Sequence, residues 1–217
     1  MRKISVFVAM MLLSVCAACA GSEYAPWLPS FLEQKTERPA RPKDYDTVTL
    51  YGEVDKTMAH DVVSAIENCN KLGDPAKPIM LYINSPGGYV DPGSLIVDAM
   101  ISSKRPVYTV NVELAASMAA IIHQYGAKRF ILRHAVDMFH DESGAEEGYV
   151  KHMASRIAIT QRKFTDLESN AAKRIGITLD ALREHESSEW WLMGQDAVDD
   201  KVADAIIEAR DFPAPDK

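Results

Sequence analysis

VELAASMAAII, residues Val112–Ile122, places a single hydroxyl between small residues at the point where an apolar helix begins. Serine is unfavourable inside a helix but favourable in the first turn, where its oxygen meets backbone N–H groups that lack partners. Ser117 lies at the positive end of the helix dipole, and its small alanine neighbours leave room for a substrate carbonyl. The stretch therefore suits a nucleophile, although a serine that only packs at a helix start gives the same pattern.

Two further segments accompany this stretch. Upstream, Met80–Gly88 (MLYINSPGG) is an apolar strand that runs into a Gly-Gly turn, and downstream, Ala135–His140 (AVDMFH) is a strand that ends on a histidine. The three motifs, in this order, strongly resemble the Clp protease proteolytic subunit, a serine peptidase family of the crotonase-like superfamily. The resemblance covers Thr47–Ala209 and implies an α/β fold: a single Clp protease/crotonase-like domain of repeated βαβ (ββα) units with a long handle helix.

Composition limits the classes of function. The chain has 217 residues, of which 47% are hydrophobic, enough for one well-cored domain with appendages. The net charge of −7 argues against nucleic-acid binding and against contact of the folded domain with anionic membranes, because the sequence contains no basic patch that would neutralise phosphate groups. Outside the N-terminal segment only Cys69 remains, so no internal disulfide is expected, and Cys69 is predicted to be a buried or half-buried helix residue.

The N-terminus has the pattern of an export signal. Arg2 and Lys3 precede the apolar run Ile4–Val15, which is too short to span a bilayer, and Ala18–Ala20 offers a small-residue cleavage site. Cys19 follows two alanines, as a lipidated cysteine of a bacterial lipoprotein does, so plain cleavage and a lipid tether remain alternatives. The predicted location is outside the cytoplasm, in the periplasm or on a membrane through this anchor.

The rest of the chain reads as one domain between irregular segments. Prolines recur among charged and polar residues in 21–46, which favours a linker. From Thr47, strands and helices alternate, which predicts right-handed βαβ units and a largely parallel sheet. The predicted boundaries are an export signal at 1–20, a linker at 21–46, a peptidase domain at 47–210 and a tail at 211–217.

Apolar periodicity and breaker residues place the elements. Strands are expected at Thr47–Tyr51, Lys77–Asn84, Pro106–Val112, Arg129–Leu132, Ala135–His140 and Glu189–Met193. Helices are expected after the cap Asp55, at Asp91–Ser103, Ala116–Tyr125 and Glu146–Lys173, after Thr178, and as one turn at Gln195–Asp200.

Acyl transfer to serine requires a nucleophile, a base, a group that orients the base and donors for the oxyanion. Ser117 is the predicted nucleophile, and His140 is the predicted base because imidazole titrates near neutral pH. A strand-end histidine bound to a backbone carbonyl is the alternative for His140. The other histidines fit less well, since they lie on solvated helix faces, in a turn or turned away on the nucleophile helix: His60, His152, His185, His134 and His123.

The resemblance also implies an acidic third member. In the family it is an aspartate before a short apolar strand, and an ungapped alignment puts Glu189 there, directly before Trp190–Leu192. Glutamate can orient a histidine if the backbone recedes to accommodate its extra methylene. Glu186 and Glu184 are alternative carboxylates, and an exposed Glu189 without a role is a further alternative.

The resemblance assigns the oxyanion donors to the backbone N–H groups of Gly88 and Met118. Gly88 has no side chain to block a close approach, and Met118 opens a helix, where N–H groups point outward. No metal or cofactor is expected. After the histidine, the family continues with Gln-Pro and a glycine-rich strand, whereas Asp141–Glu147 is acidic. This charge disfavours acidic peptides and repels a facing copy, so the formation of a double ring stays open.

Together the residues and the resemblance predict an exported serine peptidase that hydrolyses peptides or unfolded proteins. We expect a homo-oligomeric ring, no nucleic-acid partner, no ATP-driven unfoldase and no membrane contact beyond an N-terminal lipid. One alternative is a catalytically inert oligomeric scaffold or binding module of the same fold. Others are a Ser-Lys enzyme resembling signal peptide peptidases, with Lys151 or Lys163 as base, and a crotonase-type acyl-CoA enzyme, in which the serine would be superfluous.

Overall fold

The computed structural model describes residues 46–141 and 149–208, which form seven strands and six helices. The strands are β1 (Asp46–Tyr51), β2 (Ile79–Ser85), β3 (Val107–Ala116), β4 (Arg129–Leu132), β5 (Val136–Phe139), β6 (Trp190–Met193) and β7 (Ala205–Ile207). The helices are α1 (Lys56–Leu72), α2 (Val90–Ser102), α3 (Met118–Gln124), α4 (Val150–Ile175), α5 (Leu179–Glu186) and α6 (Gln195–Asp199).

The elements expected from the sequence are present in these ranges, with shifted ends. The export signal at 1–20, Cys19, most of the linker, Glu142–Glu147 of the acidic stretch and the tail at 211–217 lie outside the described residues. Within the described ranges, no helix is long and apolar enough to cross a membrane. Cys69 is half-buried on α1, as predicted, and burial raises the pKa of its thiol.

The sheet is mainly parallel, as the alternation of strands and helices predicted. The strands β1, β2, β3, β4 and β7 lie side by side in that order, and every neighbouring pair among them is parallel. Strand β5 pairs in parallel with the end of β3, and β6 pairs antiparallel with β5. Carboxyl ends of neighbouring parallel strands meet at one edge, which is where the motif residues collect.

Strand β3 is longer than the sequence predicted. It runs to Ala116 instead of ending at Val112, and helix α3 begins at Met118 instead of Ala116. Alanine favours helices, but residues 114–116 pair with residues 136–138 of β5, and these ladder contacts override the intrinsic propensity. The strand therefore leads directly into Ser117.

Burial explains why these segments fold as they do. Residues 79–83 of β2 are buried, because this central parallel strand is covered on both faces. The main cluster joins the sheet to its helices, with Val62, Ile66 and Ile96 almost inaccessible to solvent. A second, smaller hydrophobic cluster is formed by side chains of β2, β3 and β4, namely Met80, Tyr82, Val110 and Phe130. Burial of each large aliphatic side chain stabilises the fold by about 1.5–3 kcal/mol.

Candidate active site

Ser117 lies in a sharp turn between β3 and α3. Its backbone has φ 55° and ψ −125°, a left-handed conformation that non-glycine residues rarely adopt and that costs about 1–3 kcal/mol. The N–H of Ser117 donates to the carbonyl of Met138 at 2.8 Å, and its own carbonyl accepts from the N–H of Ile121 at 3.2 Å. This strained but well-supported turn presents a half-buried hydroxyl at the carboxyl edge of the sheet.

The Gly-Gly turn after β2 packs directly against the serine turn. Gly87 has φ 92°, and a Cβ placed on it would lie 2.5 Å from the Ala116 carbonyl oxygen, 2.7 Å from Ser117 Cβ and 2.9 Å from the Met118 nitrogen. These distances are shorter than real Cβ contacts, so only glycine fits here. Two motifs that are thirty residues apart in the sequence are therefore in contact.

Two backbone donors near Ser117 are free to bind an anion. Met118 is the first residue of α3, so its N–H is among the first-turn donors that have no acceptor within the helix. The Gly88 N–H has no acceptor among residues 46–141 and 149–208. At Gly88, φ is 149° and an added Cβ would lie 2.6 Å from the carbonyl oxygen of Val54, so glycine is required there too.

His140 directly follows β5 and is half-buried. Because Ser117 N–H binds the Met138 carbonyl, the histidine is only two residues beyond a direct contact with the nucleophile turn. In the described part of the chain, the His140 ring has no hydrogen-bond partner. The alternative in which a backbone carbonyl binds the His140 ring is therefore not observed. A hydrogen bond between Ser117 and His140 is not observed either.

Glu189 lies opposite His140 in the strand register. Phe139 pairs with Trp190 in the antiparallel ladder of β5 and β6, so the next position brings Glu189 across from His140. The Glu189 side chain is exposed, and its Oε2 accepts a hydrogen bond from Trp191 Nε1 at 3.1 Å. The fold thus places the backbone of all three predicted members at adjacent strand ends, but the acid contacts Trp191.

The alternative carboxylates fit the role of orienting acid less well. Glu186 is buried on α5, where burial and then the neighbouring Glu168 raise its pKa to about 8. A carboxyl group with this pKa is mostly neutral at pH 7, whereas the orienting acid must be ionised. Glu184 is exposed on the same helix, and nothing in the described residues directs it to His140.

The lysine alternative is also weakened. Lys163 Nζ forms an ion pair with Asp91 at 2.6 Å, and the described residues show no contact between this lysine and Ser117. The side chain of Lys151 lies outside the described atoms. Across the described ranges, no group of three or more His, Cys, Asp or Glu side chains is arranged to hold a metal ion.

Sequence reasoning missed a buried pair behind the site. His123 Nδ1 lies 2.8 Å from Asp137 Oδ1, and both side chains are completely buried. The sequence does contain an indication of this pair, since each residue is ionisable and lies in an apolar segment. His123 follows Ala119–Ile122 on the helix after Ser117, and Asp137 interrupts the apolar strand that leads to His140.

The chain is similar in sequence to proteins of one known family. The family model described as Clp protease matches residues 40–210. The chain is 33% identical over 165 residues to the "ATP-dependent Clp protease proteolytic subunit" of Streptococcus agalactiae serotype V, covering 74% of this chain and 84% of that protein. The protein of the same name from Streptococcus agalactiae serotype III gives the same identity and coverage. The mixed α/β architecture with its parallel sheet is consistent with the Clp protease/crotonase-like fold.

Proposed function

Because the chain belongs to the Clp protease family, we propose that it is an exported serine peptidase that acts through Ser117, His140 and Glu189. The observation that carries this proposal is the contact of Gly87 with Ser117 and Met118, which sets a nucleophile beside unengaged backbone donors. An ordinary glycine turn or an ordinary helix start needs no such contact.

In the acylation step, His140 accepts the proton of the Ser117 hydroxyl while Oγ attacks the carbonyl carbon of a peptide. The carbonyl oxygen becomes an oxyanion, and the N–H groups of Gly88 and Met118 stabilise it by hydrogen bonds. His140 then gives the proton to the leaving amine, the C–N bond breaks and an ester of Ser117 remains.

In the deacylation step, water attacks the ester. His140 takes a proton from the water, the same two donors hold the second oxyanion, and the proton returns to Ser117 Oγ as the acid product leaves. Each cycle consumes one water molecule and one peptide bond and regenerates the enzyme.

Glu189 orients His140 in this proposal. Its contact with Trp191 uses Oε2, so Oε1 remains to accept the Nδ1–H of His140. Both Glu189 and Trp191 are exposed, and rotation of exposed side chains is fast and inexpensive. The step from the observed arrangement to a working triad is therefore a side-chain movement at the protein surface.

The predicted export signal limits the substrates. The relatives are named ATP-dependent, but no ATP pool is expected outside the cytoplasm, so an ATP-driven unfoldase cannot deliver substrates there. A folded domain opens only rarely, with about 5–15 kcal/mol opposing its unfolding. The proposed substrates are consequently short peptides and chains that are already unfolded, cleaved by a homo-oligomer.

The test compares an unstructured fluorogenic peptide with a stable folded protein as substrates, with and without ATP and a cytosolic unfoldase. We expect cleavage of the peptide alone, independent of nucleotide and abolished in Ser117→Ala, and recovery of the protein from the exported fraction. Cytosolic protein with an intact N-terminus, or strong stimulation by the unfoldase, would contradict the export part of the proposal.

One observation favours the inert scaffold as a second candidate: Glu189 contacts Trp191, and the His140 ring has no hydrogen-bond partner within residues 46–141 and 149–208. A folded protein that cleaves no peptide under any of these conditions would support the scaffold.

A further inference from the structure

A buried ionisable pair links the element that carries the nucleophile to the element that delivers the base. His123 belongs to α3, which starts immediately after Ser117, and Asp137 belongs to β5, which ends immediately before His140. Their side chains meet at 2.8 Å, His123 Nδ1 to Asp137 Oδ1, and neither is accessible to solvent.

Both ring nitrogens of His123 are engaged. Its Nδ1 faces an oxygen of Asp137, and its Nε2 lies 3.2 Å from the carbonyl oxygen of Phe130 on β4. A carbonyl oxygen only accepts hydrogen bonds, so Nε2 carries a proton, and a second proton lies between Nδ1 and Asp137 Oδ1. The geometry thus describes a buried, hydrogen-bonded His–Asp pair that fixes the orientation of both side chains.

The pair completes a two-point attachment between the two elements. The first attachment is the hydrogen bond from Ser117 N–H to the Met138 carbonyl at 2.8 Å. The second is the His123–Asp137 contact, at the far end of the short helix. One attachment fixes a distance but permits rotation, whereas two attachments fix the angle between α3 and β5.

Stability alone does not account for the pair. Removal of two ionisable side chains from water is costly, and apolar replacements of such buried pairs are often neutral or stabilising. Asp137 Oδ2 is also buried without a hydrogen-bond partner, which adds to the cost. An apolar pair would fill the same space without this cost.

We propose that His123 and Asp137 are positioning residues, which hold Ser117 and His140 in the geometry required for proton transfer. This inference rests on the proposed peptidase function. Neither residue touches substrate in this account, and their effect reaches the reaction only through α3 and β5. Small displacements of reacting groups are expensive, since a shift of about 1 Å reduces a rate by about 100-fold.

The test is the double variant His123→Leu with Asp137→Val, which removes both polar side chains together and so leaves neither of them buried without its partner. We expect it to fold and to melt near or above the wild-type temperature. Hydrolysis of an unstructured peptide should show kcat lowered by about 10- to 100-fold, with KM within about twofold of wild type. Wild-type kcat in this folded variant would overturn the proposal, because the pair would then be only structural.

A matched control removes charge from another pair that includes a buried residue, at the opposite edge of the sheet. Asp46 at the start of β1 pairs with buried Arg105, so Asp46→Asn should lower the melting temperature and leave kcat unchanged. An equal loss of kcat in Asp46→Asn would overturn the proposal, because loss of stability alone would then explain the effect.

A spectroscopic measurement covers the case in which the double variant does not fold. In wild-type protein labelled with ¹⁵N-histidine, the His123 ring signals should differ from those of Asp137→Asn, because Nδ1 loses its carboxyl partner in the variant. Identical His123 signals in the two proteins would overturn the proposal, because the pair would then not exist in solution.

The two proposals fail differently. A folded wild-type protein without any peptidase activity overturns the proposed function and this inference with it. An active wild-type protein with unchanged kcat in the double variant overturns this inference alone.

Discussion

Two residues of the site, Ser117 and Glu189, share an unusual backbone conformation but differ in what supports it. Their φ angles are 55° and 56°, both in the left-handed region that favours glycine. Ser117 is flanked by the buried Ala116 and Met118, and its N–H binds the Met138 carbonyl. Glu189 is exposed, its N–H binds the carbonyl of Glu186 one turn back, and its side chain binds Trp191.

This difference divides the site into a rigid half, formed by the Ser117 turn with the N–H groups of Gly88 and Met118, and an adjustable half, formed by the Glu189 side chain. Strain at Ser117 persists because the surrounding core fixes the turn from several sides, as is typical of preorganised catalytic groups. At Glu189 the contacts are local and solvated, so the side chain can change partners at little cost. The proposed nucleophile and oxyanion donors are thus held by the fold, while the proposed acid depends on a surface rearrangement.

The largest effect is expected from the proposed nucleophile and base. Ser117→Ala and His140→Ala should each reduce kcat by about 10⁴- to 10⁶-fold, because the two groups act as one unit. Peptide hydrolysis by the double variant should be only slightly slower than by either single variant. Additive losses would show that Ser117 and His140 act separately.

Glu189→Gln tests the adjustable half. If Glu189 orients His140, loss of its charge should lower kcat by about 10³-fold or more, without a change in melting temperature because the side chain is exposed. Trp191→Phe is the matched control, since it removes the indole N–H that binds Glu189 but leaves the carboxylate. Full activity in Glu189→Gln would exclude this residue as the third member.

Gly87→Ala breaks the contact between the two motifs. The new Cβ would lie 2.9 Å from the Met118 nitrogen, so we expect loss of oxyanion stabilisation and a kcat about 100-fold lower. Gly176→Ala is the control, because Gly176 has nearly the same φ, 91° against 92°, with open space around it. Equal activity losses in both variants would indicate a general effect of backbone strain.

Glu186→Gln is expected to have the smallest effect, a change in thermal stability. Glu186 is the last residue of α5, and its carbonyl accepts the hydrogen bond from the Glu189 N–H. Burial and Glu168 raise the Glu186 pKa from 4.5 to about 8 in the folded protein, so folding takes up a proton between these pH values. Wild-type stability therefore falls as pH rises through this window, and glutamine removes that loss. Thermal melts should show a gain of a few degrees for the variant at pH 8.5 and almost none at pH 5. A constant difference would contradict the raised pKa.

The sequence was most informative where local chemistry is demanding. The Gly87–Gly88 turn and the strand before His140 could each be predicted, because glycine and apolar residues are constrained locally there. The helix beside Ser117 was predicted two residues too early, and the serine side chain makes no cap hydrogen bond to it, contrary to expectation. The extension of β3 to Ala116 could not, since alanine favours a helix and only pairing with β5 decides the outcome. The His123–Asp137 contact depends on tertiary packing of α3 against β5, which periodicity does not reveal.

The third member shows the same limit. Glu189 as the third member stays a prediction: the strand register brings it across from His140, but the partner of an exposed carboxylate depends on rotamers and on Trp191, whose role no pattern indicates. Register follows from the fold, whereas side-chain contacts at the surface do not.

In the proposed mechanism, Ser117 is a nucleophile that is activated by His140 beside two preorganised backbone donors. Covalent labelling by a fluorophosphonate, followed by peptide mass spectrometry, is the decisive experiment for this role. We expect one adduct on Ser117 in the wild-type protein, no adduct in Ser117→Ala, and labelling slowed by several orders of magnitude in His140→Ala. A folded wild-type protein that remains unlabelled, or that carries its adduct on a different serine, would show that Ser117 is not the nucleophile.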